Sequence, residues 1–146
     1  MKKASIISVG NELLTGQTID SNSAYISNKL LSAGLPVVGV FVTADEIDSI
    51  VKSLERAVSD ADVVVMTGGL GPTDDDVTRQ ALAKFLDVQL ELRPELLNQL
   101  KMFFEKRGIE MPQRCEAQAY VPAGARPMLN KRGSAPGILA AVARPR

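Results

Sequence analysis

Histidine and tryptophan are absent from this chain of 146 residues, and cysteine occurs once, as Cys115. Without imidazole there is no Ser-His-Asp triad, no histidine general base and no His-containing metal site. One thiol forms neither a disulfide within the chain nor a cysteine zinc site, which fits a reducing, cytoplasmic setting. With no histidine to activate it, Cys115 reads as a packed or loop residue rather than a nucleophile. Acidic and basic residues balance at 17 each and neither sign is blocked along the chain, so no nucleic-acid surface is indicated. No apolar run approaches the roughly 20 residues that span a bilayer. Met1-Lys2-Lys3 before Ile6-Ile7 imitates a signal peptide only until Gly10-Asn11-Glu12 ends the stretch. Carboxylates remain as the candidate metal ligands, and small molecules as the candidate partners.

What the chain does have is Thr67-Gly68-Gly69-Leu70-Gly71-Pro72-Thr73-Asp74-Asp75-Asp76-Val77-Thr78, directly after the apolar run Val63 to Met66. A buried strand feeds a glycine turn, and the turn feeds an acidic helix start. Glycines let a backbone approach a ligand closely, and amides at a helix N-terminus favour anions, so phosphate is the expected guest. Three aspartates would repel a bare phosphate, and the combination makes chemical sense if a divalent cation sits between carboxylates and phosphate oxygens. Aspartates at a helix start also cap orphan amides with no ligand present.

The rest of the chain alternates. Ala4 to Val9 reads as a strand and Gly10 to Ile19 as a loop. A helix capped near Asp20-Ser21-Asn22 carries Tyr25, Ile26, Leu30 and Leu31 on its apolar face and stops at Gly34. Pro36 to Thr43 is a second strand, and a helix after Asp45-Glu46 places Ile47, Ile50, Val51, Leu54 and Val58 on one face. After Val63 to Met66, read as a strand covered on both faces, a helix follows with Val77, Ala81, Leu82, Phe85 and Leu86 inward, then a short edge strand from Val88 to Leu92. Arg93-Pro94-Glu95 opens a helix that ends at Gly108, and Gln118 to Pro122 and Arg126 to Asn130 read as short strands. The order βαβαβα predicts an α/β fold with a mainly parallel sheet, right-handed crossovers and its ligand site beyond the carboxyl ends of the strands. There the loops at Gly10 to Ile19, Thr43 to Glu46 and Gly68 to Asp76 fall together.

Neither familiar nucleotide motif is present. Gly10-Asn11-Glu12-Leu13-Leu14-Thr15-Gly16 lacks the dinucleotide fingerprint, and five residues separate Gly10 from Gly16, with Gln17 where a Walker lysine belongs. Three ordered blocks do match a known pattern: Ile7 to Gln17 with Asp20 and Asn22; Thr67 to Thr78; and Asn130-Lys131-Arg132-Gly133-Ser134-Ala135-Pro136-Gly137. Together they resemble the N-terminal domain of the CinA (competence/damage-inducible) family, which is similar to the molybdopterin-binding domains of molybdenum cofactor biosynthesis proteins.

The chain is the length of one domain, and the resemblance implies that residues 1–146 are a three-layer α/β/α unit, C-terminally truncated relative to the family, that assembles as a homo-oligomer. It also implies divalent-metal-dependent hydrolysis of a nucleotide diphosphate such as ADP-ribose, with Mg²⁺ or Co²⁺. By position, Asp76 matches the aspartate shared with the molybdopterin-binding relatives and Asp75 the one more particular to the CinA branch; these are the candidate catalytic residues. Asp76, Glu12 and Asp45 are the candidate metal ligands, although Asp45 is also a good helix cap and Asp20 reads most simply as one. Gly68, Gly69, Gly71, Thr73 and Thr78 are the candidate phosphate contacts. Lys131 and Arg132 could reach phosphates but read equally as solvated charges. The general base is either a carboxylate or the metal hydroxide. The alternative is a module that binds a molybdopterin-like pterin or a nucleotide without cleaving it.

Overall fold

The structure, a computed structural model, describes residues 1–143, so the last three residues of the expected domain lie outside it. The chain divides into two compact units, Met1–Gly69 and the chain from Leu70 onward.

The first unit holds the parallel sheet. Strand β1 (Ala4–Val9) lies in the middle, paired in parallel with β2 (Val37–Thr43) and β3 (Val63–Thr67). All six β1 residues are buried, as expected of a central parallel strand. Strand β2 alternates, with Val38, Val40 and Val42 exposed, and β3 is half-buried throughout rather than fully covered. The segment after β1 is not all loop: Asn11–Leu14 forms one helical turn, α1. Helix α2 (Ser21–Ser32) starts as expected at Asp20, whose carboxylate accepts the Ser23 amide at 3.0 Å. Burial pushes the Asp20 carboxyl up, but the nearby Ser8 hydroxyl and the hydrogen bond from the Ser23 amide outweigh it and hold it below the ordinary value.

Tyr25 does not join the core. It is 64% exposed, with the Lys29 ammonium 5.5 Å from its ring centre, and Leu31 is likewise exposed. Helix α3 (Ile47–Asp60) does bury the face its spacing predicted, through Ile50, Leu54 and Ala57. Both helices pack on the sheet.

In the second unit, α4 (Thr78–Leu86) leads to β4 (Leu90–Leu92), then α5 (Pro94–Glu105) with proline at its first turn. Gln113–Ala119, part of it expected as a strand, is a 3₁₀ helix, and the strand β5 is confined to Tyr120–Pro122. Strands β4 and β5 pair antiparallel as a separate sheet instead of edging the parallel one. A third small sheet joins β6 (Arg126–Met128) antiparallel to β7 (Gly137–Leu139), a strand the sequence reading left out. The core of this unit gathers Leu96, Leu100, Ala119, Val121 and Ala125. Cys115 is buried and free, as a packed residue. No helix among the described residues is long and apolar enough to cross a membrane.

Candidate functional site

The residues expected to form one site fall in both units. In the first, parallel pairing sets Val9 opposite Thr43, so the loops after β1 and β2 leave the sheet side by side. They are clasped reciprocally: Asp45 Oδ2 accepts the Asn11 amide at 2.9 Å, and Asn11 Oδ1 accepts the Asp45 amide at 3.2 Å. Asp45 is therefore not a helix cap; Glu46 holds the position before α3. Glu12 is exposed and curls back over Gly10, where a Cβ would meet its carboxylate. Gly68 closes the end of β3 with φ +93°, and a Cβ there would run into the Val9 carbonyl oxygen. Gly69 also has positive φ, 69°. Gly68 thus serves a tight approach to the chain's own backbone at Val9, and Gly69 a left-handed turn.

The second unit carries the rest of the motif, folded into a self-bonded loop. Asp76 Oδ2 accepts from the Thr73 amide at 3.0 Å and the Thr73 hydroxyl at 2.7 Å, and the Asp76 amide returns a bond to the Thr73 carbonyl at 3.0 Å. The Gly71 amide also donates to the Asp76 carboxylate. A Cβ at Gly71 would meet this carboxylate, so a side chain there would have to displace it. The three aspartates precede the helix instead of capping it: α4 begins at Thr78, with Val77 before it and no side-chain cap. Thr78 is only 4% exposed, so a phosphate contact through its side chain is closed off. Asp74 and Asp75 are exposed, and among the described residues their side chains have no partner.

Arg79 is the residue that the sequence reading missed. It is 3% exposed, and its two terminal nitrogens donate to the carbonyls of Leu70 and Gly71, each at 2.6 Å. Burial lowers its pKa while the Asp76 charge raises it. Helical spacing gives no signal for it, because Asp76 lies before the helix that begins at Thr78. Asp76 and Arg79 together fix the loop from both sides, one holding amides and the other carbonyls.

Burial pushes the Asp76 carboxyl up. The hydroxyl and amide of Thr73, the Gly71 amide and the Arg79 charge outweigh that and hold it below the ordinary carboxylate value. A carboxyl depressed in the folded state adds stability above its unfolded pKa, and that stability is lost as pH falls through the folded value. The wild type is therefore expected to lose stability more steeply below pH ~4 than Asp76→Asn. Urea midpoints measured from pH 6 down to pH 2.5 check this, and parallel curves would refute it.

An open pocket of ≈ 470 Å³ lies in this unit, with Pro72, Thr73, Asp76 and Arg79 on one wall and Glu116 and Tyr120 on another. The third block forms the β6–β7 turn, where Asn130 Oδ1 accepts the amides of Arg132 and Gly133 and its Nδ2 donates to the Ala135 carbonyl. Lys131, Gly133 and Ser134 line a different cavity of ≈ 280 Å³ against Leu96, Leu100 and Phe103 of α5. No residue lines both.

The first unit is a parallel α/β sheet with a glycine turn at its carboxyl end, and the family follows from comparison. Residues 5–143 match the model described as "Probable molybdopterin binding domain", and the chain belongs to that family. It is also similar to the crystal structure of CinA from Thermoplasma acidophilum, with 40% identity and a TM-score of 0.88 over 97% of this chain and 82% of that one. A CinA-like protein of Dictyoglomus thermophilum is 42% identical over 94% of this chain and 33% of its own length. The tungsten cofactor synthesizing protein MoaB from Pyrococcus furiosus shares the fold, at 19% identity and a TM-score of 0.57 over 95% of this chain and 79% of that one. The chain spans 33 to 53% of the length of the first curated relatives it matches.

Proposed function

We propose that this chain is a binding domain for a small phosphorylated heterocycle, a pterin or a nucleotide diphosphate, held on the Gly71–Arg79 loop and not cleaved there. The observation that carries the reading is the commitment of Asp76. A carboxylate already accepting three hydrogen bonds inside its own loop braces a binding surface, and is poorly placed to activate water. The family description, a molybdopterin-binding domain, points the same way.

Asp74 and Asp75 supply hard oxygen donors of the kind Mg²⁺ or Co²⁺ accepts. Among the described residues no three carboxylate or cysteine side chains gather around a common point. A cation carried in with the ligand needs no such cage, because Mg²⁺ commonly takes one or two carboxylates and completes its shell with phosphate oxygens and water. When bound it would offset the repulsion between these aspartates and a phosphate.

The test is calorimetric titration with ADP-ribose, GDP and pterin, with and without Mg²⁺ or Co²⁺, alongside an assay for AMP released from ADP-ribose. Saturable binding of at least one ligand without AMP release is the expected result. Metal-dependent AMP release that disappears in Asp76→Asn would replace this reading with the pyrophosphohydrolase that the sequence resemblance implied.

A further inference from the structure

The strand order β2-β1-β3 leaves β2 paired on one side only. It runs Val37-Val38-Gly39-Val40-Phe41-Val42-Thr43 without a charge or a proline, the residues that ordinarily blunt an open sheet edge. The one irregularity in its pairing lies near its start, where β1 shifts register between Ala4 and Ser5. The Thr43 carbonyl accepts the Gly10 amide at the end of β1, so strand alternation turns the amides and carbonyls of Val40 and Val42 the other way, outward. Among the described residues no strand takes them up.

The side chains add an apolar stripe to this edge. The connections β1 to β2 and β2 to β3 step across the sheet in opposite directions, so right-handed crossovers put α2 and α3 on opposite faces. Phe41 faces α3, whose Arg56 guanidinium lies 5.0 Å from the ring centre. Val38, Val40 and Val42 therefore face the α2 side, where they stay 39 to 49% exposed. Helix α2 does not close over them: none of its own residues is buried, and Tyr25 and Leu31 stand exposed on it.

We infer that the β2 edge is the contact surface between two copies of this chain, which join β2 to β2 antiparallel about a two-fold axis at Val40 and extend the sheet through both. The strand is complementary to itself in that arrangement, since Val40 meets Val40 and Val38 meets Val42. An axis perpendicular to the sheet keeps both α2 helices on one face, with the two valine stripes as a continuous apolar floor between them. The charges select the same partner. The end of the unit where β2 finishes carries Asp45, Glu46 and Asp48, and the end where it begins carries the exposed Lys2, Lys3 and Lys29. Antiparallel pairing sets the acidic end of each copy beside the basic end of the other, a match that an unrelated strand would not supply. Asp60 and Asp62 also stand at the basic end, but they lead into β3, on the far side of β1. This surface is separate from the Gly71–Arg79 loop and does not depend on the binding function proposed above.

Sedimentation equilibrium of the 146-residue chain tests it, with a dimer of twice the 15.7 kDa chain mass expected. Val40→Lys, which sets two ammonium groups against each other at the axis, is expected to weaken the dimer by about tenfold or more. Met102→Lys, at an exposed position of α5, is expected to leave it unchanged, and circular dichroism confirms that each variant is folded. A second readout introduces no charge: a short bis-maleimide is expected to join Val40→Cys into a covalent dimer. Wild type, whose one cysteine is buried, and Asn98→Cys are expected to stay single chains. A wild type that is monomeric at high micromolar concentration, a dimer that Val40→Lys leaves intact, or a Val40→Cys chain that is not joined would each overturn the inference.

Discussion

Gly68→Ala is expected to destabilise the first unit by roughly 3 kcal/mol or more, from about 1–3 kcal/mol of left-handed backbone strain and a similar amount for overpacking. Its φ of +93° is a conformation that an alanine rarely adopts. The new methyl would also meet the Val9 carbonyl oxygen, which is backbone at the end of the fully buried strand β1 and cannot swing aside as a side chain can. Gly71 makes an instructive contrast, because what its Cβ would meet is the end of the Asp76 side chain, which can move. Urea unfolding followed by circular dichroism measures the effect. A loss below 1 kcal/mol would mean that the end of β3 yields more easily than its packing indicates.

The second large effect is expected at Arg79. Alanine there leaves the carbonyls of Leu70 and Gly71 without their donors, each costing about 1–3 kcal/mol where water does not replace them. Both residues are half-buried, so partial rehydration brings the expected loss to roughly 2–4 kcal/mol. Arg79→Lys should recover only part of it, because an ammonium lacks the planar fork that reaches two carbonyls at once. Ligand affinity should fall in both variants, since the loop that forms one pocket wall is no longer held. Unfolding curves and titrations with GDP measure the two effects, and an Arg79→Ala protein as stable as the wild type would refute the clamp.

The sequence revealed the first unit well because the signals there are local. Apolar residues from Ala4 to Val9 and the continuous run Val63 to Met66 marked β1 and β3, a short polar residue at Asp20 marked the start of α2, and the spacing of Ile50 and Leu54 marked the buried face of α3. It misled where an apolar stripe met no partner, as at Tyr25 and Leu31, since periodicity reports which face could be buried and not whether anything covers it. The second unit was less legible. Gln113–Ala119 has no strong period, and three-residue strands such as β4 and β7 are defined by their pairing more than by their composition.

The glycine turn was legible from sequence alone. What the sequence did not reveal was where that carboxylate points. Whether an aspartate faces a ligand or its own loop depends on bonds from Thr73 and Gly71 that composition does not specify, and Arg79 was overlooked because buried arginines are rare. In the structure the Asp76 carboxylate braces its own loop.

The most direct test of that account is a map of amide shifts in the isotopically labelled chain as GDP is added with Mg²⁺. Saturable shifts centred on Thr73 to Gln80 and on Gln113 to Tyr120 are predicted, with GDP recovered intact. Shifts confined to other residues, or none at saturating ligand, would contradict it.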